Sequence, residues 1–180
     1  MSQRRLAVRA WYESLRPVLE AGHEVVLLEG GREFFSALIA AVDAACAQIS
    51  LETYIFADDS SGRAVAAALA LASRRGVQVR VVVDGYGTPR LGAGVAHMLA
   101  AGGVAIETFR PERRRFALDR QRLRRLHRKL AVIDGKVVFV GGINLLDDLQ
   151  DPNHGALESP RLDFAVRVRG PLAAKAQLAV

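Results

Sequence analysis

Short β-branched runs alternate with Ala- and Leu-rich stretches along this chain, and that alternation restricts its fold more than any other feature. Arg63–Arg75 has a helical pattern closed by Gly76, a common residue just past a helix end. It leads directly into Val77–Val83, a continuous run that predicts a strand buried on both faces. The same rhythm gives strands at Val25–Leu28, Ile49–Phe56, Val104–Phe109 and Leu162–Val168. It gives helices at 3–20, Glu33–Cys46, Leu91–Ala101 and Leu172–Val180, with Gly30-Gly31 and Asp58–Gly62 as punctuation. Leu130–Ile133 and Val137–Val140 flank Asp134-Gly135, a strong hairpin signal, so a wholly parallel sheet is not expected. The fold class is α/β, a mixed sheet flanked by helices on both faces. Residues 1–22 are expected as an amino-terminal helical segment and 23–180 as one domain.

No run of 18 apolar residues occurs, and the first residues lack the apolar core of a signal peptide. Action on a membrane would therefore be peripheral. The single cysteine, Cys46, cannot form an internal disulfide and is expected as a small buried residue, a usage that fits a reducing cytoplasm. The net charge of +6 is localised: between Arg110 and Arg128 nine arginines face only Glu112 and Asp119, leaving the rest of the chain close to neutral. Such a patch points to a polyanionic partner, phospholipid headgroups or nucleic acid, or is a solvated loop.

Directly after that patch come His127 and Lys129. Two residues apart, they share a face if a strand begins there. A histidine titrates near neutral pH and can attack an electrophile or shuttle a proton. A lysine beside it offers fixed charge to the non-bridging oxygens of a phosphate. Gly141-Gly142 permits close backbone approach, and Asn144 offers an amide donor. Each residue alone has an ordinary structural explanation. Together they read His-x-Lys, four residues, Asp134, six residues, Gly-Gly-x-Asn.

That spacing resembles the HKD motif of the phospholipase D superfamily. The superfamily usually has Ser where Gly142 stands, which here removes one hydroxyl donor. Leu51–Phe56, Asp84-Gly85-Tyr86-Gly87 and Asp163–Pro171 extend the likeness to the amino-terminal half of bacterial cardiolipin synthases of the B type. The resemblance implies a phospholipase-D-like half-domain and a two-step phosphatidyl transfer through a phosphohistidine. His127 would be the nucleophile or the proton donor, and His127, Lys129 and Asp134 form the catalytic set. Asp134 would fix the motif's geometry rather than touch substrate. Lys129, Asn144 and Gly142 would meet the phosphate. Asp163 matches an acid that orients the motif histidine, or is a surface carboxylate; Glu52 is a weaker candidate of the same kind. No metal or other cofactor is implied. The implied partners are anionic, phosphatidylglycerol-like phospholipids at the cytoplasmic face of a bacterial membrane.

Two such motifs are needed for this chemistry, yet His23, His97 and His154 lack a lysine two residues on. Three readings follow: the first half of a longer enzyme, a homodimer with one motif per copy acting as a phosphodiesterase or nuclease, or an inactive lipid-binding module.

Overall fold

The computed structural model describes residues 20–111, 125–151 and 155–180. The amino-terminal helix expected over 3–20 and most of the arginine-rich segment lie outside them. The chain builds β1 (Glu24–Glu29), α1 (Gly30–Asp43), β2 (Gln48–Thr53), α2 (Ser60–Arg74), β3 (Gln78–Asp84), α3 (Ala93–Ala101) and β4 (Ala105–Phe109). It continues with β5 (Leu130–Ile133), β6 (Val137–Gly141), the two-residue strands β7 (Gln150–Asp151) and β8 (Gly155–Ala156), then β9 (Phe164–Arg169) and α4 (Pro171–Gln177). Among the described residues one seven-stranded sheet forms, in the order β1-β9-β6-β5-β2-β3-β4. β2, β3 and β4 are parallel; the remaining pairings are antiparallel, so the sheet is mixed as expected.

The local chemistry explains the boundaries. Glu33 reaches back to accept the Glu29 backbone N–H at 2.9 Å, so α1 starts inside Gly30-Gly31 instead of after it. Gly31 also donates to Asp148, and a Cβ there would lie 2.7 Å from that carboxylate. Asp59 caps α2 by accepting from Gly62 N at 2.8 Å. The β5–β6 hairpin turns at Asp134 (φ 53) and Gly135 (φ 62), the two positive values a tight primed turn requires.

The main core lies between one sheet face and α1–α3, with Leu38, Val42, Val65, Leu69, Val95 and Leu99 packed against Ile49, Val81 and Phe139. On the opposite face Ala173 of α4 covers Val132, Val138 and Val168. Helices thus flank both faces, but unequally. The second layer does not reach β3, where Val79, Val81 and Val83 are buried while Gln78 and Arg80 are exposed. The expectation that this strand is buried on both faces is corrected accordingly; Arg80 instead pairs with Glu107 of β4 on the open side. Cys46 is also corrected: α1 ends at Asp43, so the cysteine falls in the following turn and is exposed. No described helix is long and apolar enough to cross a membrane.

Candidate active site

Strand directions gather one set of side chains at one edge of the sheet. β2, β3, β4 and β6 end there, and β5 and β9 begin there. This is the edge at which ligands bind in open α/β sheets, outside the carboxyl ends of parallel strands. His127, Lys129, Tyr54, Asp84, Gly142, Asn144 and Asp163 all lie at or beyond these strand ends.

His127 precedes β5 by three residues and is exposed, whereas Lys129 is only 9 % exposed. The expected meeting of the two occurs, although β5 proper begins only at Leu130. Lys129 Nζ lies 3.3 Å from Nε2 and 3.4 Å from Nδ1 of His127, and donates to the His127 carbonyl at 3.1 Å. The Tyr54 ring supports both: its centroid is 4.9 Å from that of His127, and Lys129 Nζ is 5.4 Å from it. An ammonium over an aromatic face is attracted by the ring's quadrupole. Burial lowers the Lys129 pKa, while the Asp163 carboxylate raises it in part. Burial, and secondarily Asp84, raise that of Tyr54.

Asp84, which sequence reading quoted only as part of a likeness, is fully buried and ties this cluster together. One oxygen accepts from Tyr86 N (2.8 Å) and Gly87 N (3.1 Å), the other from Leu126 N (2.7 Å), immediately before His127. Gly87 lets that loop close on Tyr54: a Cβ there would lie 2.4 Å from the Tyr54 carbonyl oxygen. Thr88 Oγ1 donates to the same carbonyl at 2.9 Å. The available signal was a charged residue closing an otherwise β-branched strand, which burial permits only with several hydrogen bonds.

The other sequence candidates divide. Asn144 Oδ1 accepts from Ile55 N at 3.1 Å, tying the segment after β6 to the segment after β2, so only its NH₂ remains for a ligand. The Gly142 N–H donates to the Phe164 carbonyl at 2.9 Å and is not a vacant phosphate donor. A Cβ at that position would lie 2.1 Å from Asp163 Oδ1, so the family's usual serine would need that carboxylate to move. Asp163 does not hydrogen-bond His127 as expected of an orienting acid; it accepts from Phe164 N at 2.8 Å and acts on Lys129 through its charge. Glu52, 7 % exposed, pairs with Arg128 at 2.7 Å. It anchors the residue between His127 and Lys129. Among the described residues no cluster of His, Cys, Asp or Glu is arranged to hold a metal ion.

Asp134 stands apart. Seven residues of extended chain, about 20 Å, separate it from His127. Its carboxylate accepts from Cys46 N (2.9 Å), Ala47 N (2.9 Å) and Gln48 N (2.8 Å) at the opposite edge. It braces the start of β2 against the end of β5, at the sheet edge opposite His127 and Lys129.

One pH effect follows. In the phosphate-binding role that the resemblance implies, Lys129 must keep its proton, and Asp163 is the carboxylate that raises its pKa. Asp163→Asn should therefore shift the alkaline limb of the kcat/KM profile to lower pH, because the ammonium loses its proton earlier as pH rises. An unchanged alkaline limb would remove Asp163 from the electrostatics of the site.

Comparison with known proteins gives the family and the fold. Residues 38–156 match the family described as "Cardiolipin synthase, PLD-like domain". Cardiolipin synthase B of Escherichia coli (strain K12) is 37 % identical over 153 residues, covering 84 % of this chain and 36 % of that protein. Cardiolipin synthase A of Pseudomonas putida (strain GB-1) is 35 % identical over 173 residues, covering 96 % of this chain and 36 % of that one. The chain thus spans about a third of the length of these curated relatives. Among solved structures, the phospholipase D family member Nuc from Salmonella typhimurium shares the fold with a TM-score of 0.61 at 20 % identity, covering 88 % of this chain and 91 % of that one. NucT from Helicobacter pylori gives a TM-score of 0.63 at 16 % identity, covering 88 % and 93 %. With the family model matching most of the chain and more than a third of aligned residues shared with cardiolipin synthase B, the chain belongs to the phospholipase-D-like domain family of the cardiolipin synthases.

Proposed function

We propose that this chain supplies one of the two HKD motifs of a phosphatidyltransferase that joins anionic, phosphatidylglycerol-like lipids at the cytoplasmic face of a bacterial membrane. The observation that carries this reading is the exposed His127 ring held against the buried Lys129 ammonium on the face of Tyr54. A ring nitrogen of His127 attacks phosphorus, and the bond from phosphorus to the donor's alcohol oxygen breaks. That oxygen takes a proton from the histidine of the second motif. The same second histidine then accepts the proton of the incoming alcohol, whose oxygen displaces His127 and restores its ring. Splitting transfer into two displacements is ordinary covalent catalysis. Lys129 and the Asn144 NH₂ neutralise and orient the non-bridging oxygens. Asp134 holds the frame and touches no substrate.

The test supplies the missing motif. The chain is mixed with a separately expressed second half of a two-motif cardiolipin synthase and vesicles containing phosphatidylglycerol. Cardiolipin is read from lipid extracts, and an acid-labile phosphohistidine is sought at residue 127. Product that requires both parts, with label on His127, supports the reading. Well-folded mixtures that form neither product nor labelled histidine overturn it.

A second reading is a homodimer in which each copy supplies one motif to a phosphodiesterase or nuclease. It is favoured by Nuc, a chain of this fold matched over 91 % of its length. Cleavage of a nucleic acid by the chain alone, rising with the square of its concentration in the dilute range, would select it.

A further inference from the structure

We propose that the rim formed by Tyr86, Phe109 and their two stacked arginines is the surface by which the site edge lies on an anionic phospholipid bilayer. The proposal rests on the phosphatidyltransferase reading and names where that enzyme meets its lipid. Tyr86 and Phe109 follow or end the adjacent parallel strands β3 and β4 and are 58 % and 36 % exposed. Each carries a cation on its face: the Arg125 guanidinium carbon is 4.6 Å from the Tyr86 centroid, and that of Arg110 is 5.3 Å from the Phe109 centroid. The two strand ends are drawn together at Gly85, whose N–H donates to the Phe109 carbonyl at 2.9 Å. A Cβ at Gly85 would lie 2.4 Å from the Arg110 carbonyl oxygen, so only glycine allows this approach.

The rim is built onto the active site. Asp84 holds the backbone of Tyr86 with one oxygen, and with the other that of Leu126, which lies between Arg125 and His127. Arg110 and Arg125, both on this rim, belong in sequence to the run of nine arginines between Arg110 and Arg128. Exposed rings paired with cations suit the interface of a membrane. Aromatic side chains settle at headgroup level, and arginine stems lie along apolar surface while the charge meets lipid phosphate. Cations close to an anionic surface add to the attraction. This arrangement would bring the donor phosphate towards His127 while its acyl chains stay in the bilayer.

The test compares the wild type, Tyr86→Ala/Phe109→Ala and His127→Ala in sedimentation with vesicles of phosphatidylglycerol and phosphatidylcholine, with single-stranded DNA as a competing ligand. The double variant should bind vesicles about tenfold more weakly, with circular dichroism and melting unchanged. His127→Ala should bind as the wild type does. A Tyr86→Trp probe, with Trp11→Phe to remove the native indole, should be quenched by brominated lipid. No vesicle binding by the wild type, equal binding by the double variant, or an unquenched probe would overturn the proposal. So would DNA binding that depends on the two rings while vesicle binding does not. Ring-dependent vesicle binding with no turnover in the mixture containing both motifs would leave this surface standing and sink the transferase reading alone.

Discussion

Replacing His127 with alanine is expected to lower phosphoryl transfer by about 10⁴-fold or more, because the variant loses a covalent nucleophile or the acid that releases the leaving group. The measurement is single-turnover transfer in the assembly containing both motifs, with the melting temperature as control. His127 is exposed and its ring lies against the Tyr54 ring and the Lys129 ammonium at the rim of the site, so melting should stay within about 1–2 °C of the wild type, as for most surface substitutions. Loss of rate with intact folding separates chemistry from structure. A variant retaining about a tenth of the rate would show that the catalytic histidine lies elsewhere, since acid–base assistance alone is worth about 10²–10⁴-fold.

That His127 and Lys129 meet was legible from spacing, because residues two apart share a face of extended backbone. The hairpin was equally legible: Asp134-Gly135 is one of few dipeptides that accept two positive φ values, and both are present. Helix and strand alternation gave the layered fold because it reflects local periodicity. What escaped was what depends on the order of strands in space. β5 lies between β6 and β2, so Asp134 meets residues 46–48, 86 to 88 positions away in sequence. Nothing local to the motif announces those partners. Asp84 likewise gains its role by accepting from Leu126, 42 residues on. In sequence Gly142 suggests room for a ligand, but Asp163 lies against it, brought alongside because β6 pairs with β9. The motif histidine and lysine could be named from sequence, whereas the groups that hold them required the sheet.

Asp134 provides the sharpest test of that division, because its replacement should damage folding instead of chemistry. Asp134→Ala removes the carboxylate that accepts three charge-assisted hydrogen bonds from backbone N–H groups and places alanine at a φ of 53. Each such bond is worth about 1.5–3 kcal/mol when its donor is shielded, and less where water can replace it, as at Cys46 and Ala47. Left-handed backbone adds about 1 kcal/mol for alanine. A net loss of about 2–4 kcal/mol, or a fall of roughly 6–12 °C in Tm, is expected by thermal melting. Asp134→Asn should suffer much less, since asparagine tolerates the left-handed region and keeps one acceptor oxygen. The acid limb gives an independent reading. Burial pushes the Asp134 pKa up, but the three backbone donors outweigh it and leave the carboxyl below its ordinary value. A depressed carboxyl contributes stability that is fully present above the unfolded-state pKa and is lost as pH falls through the folded one, below about pH 4. Wild-type melting should therefore drop more steeply below about pH 4 than that of Asp134→Asn, which has no carboxylate to protonate there. If Asp134→Ala melted within about 2 °C of the wild type yet lost turnover as fully as His127→Ala, the aspartate would belong to the chemistry. If it unfolds early while Asp134→Asn still transfers phosphate, the third letter of the motif is a structural brace, and catalysis belongs to the opposite edge of the sheet.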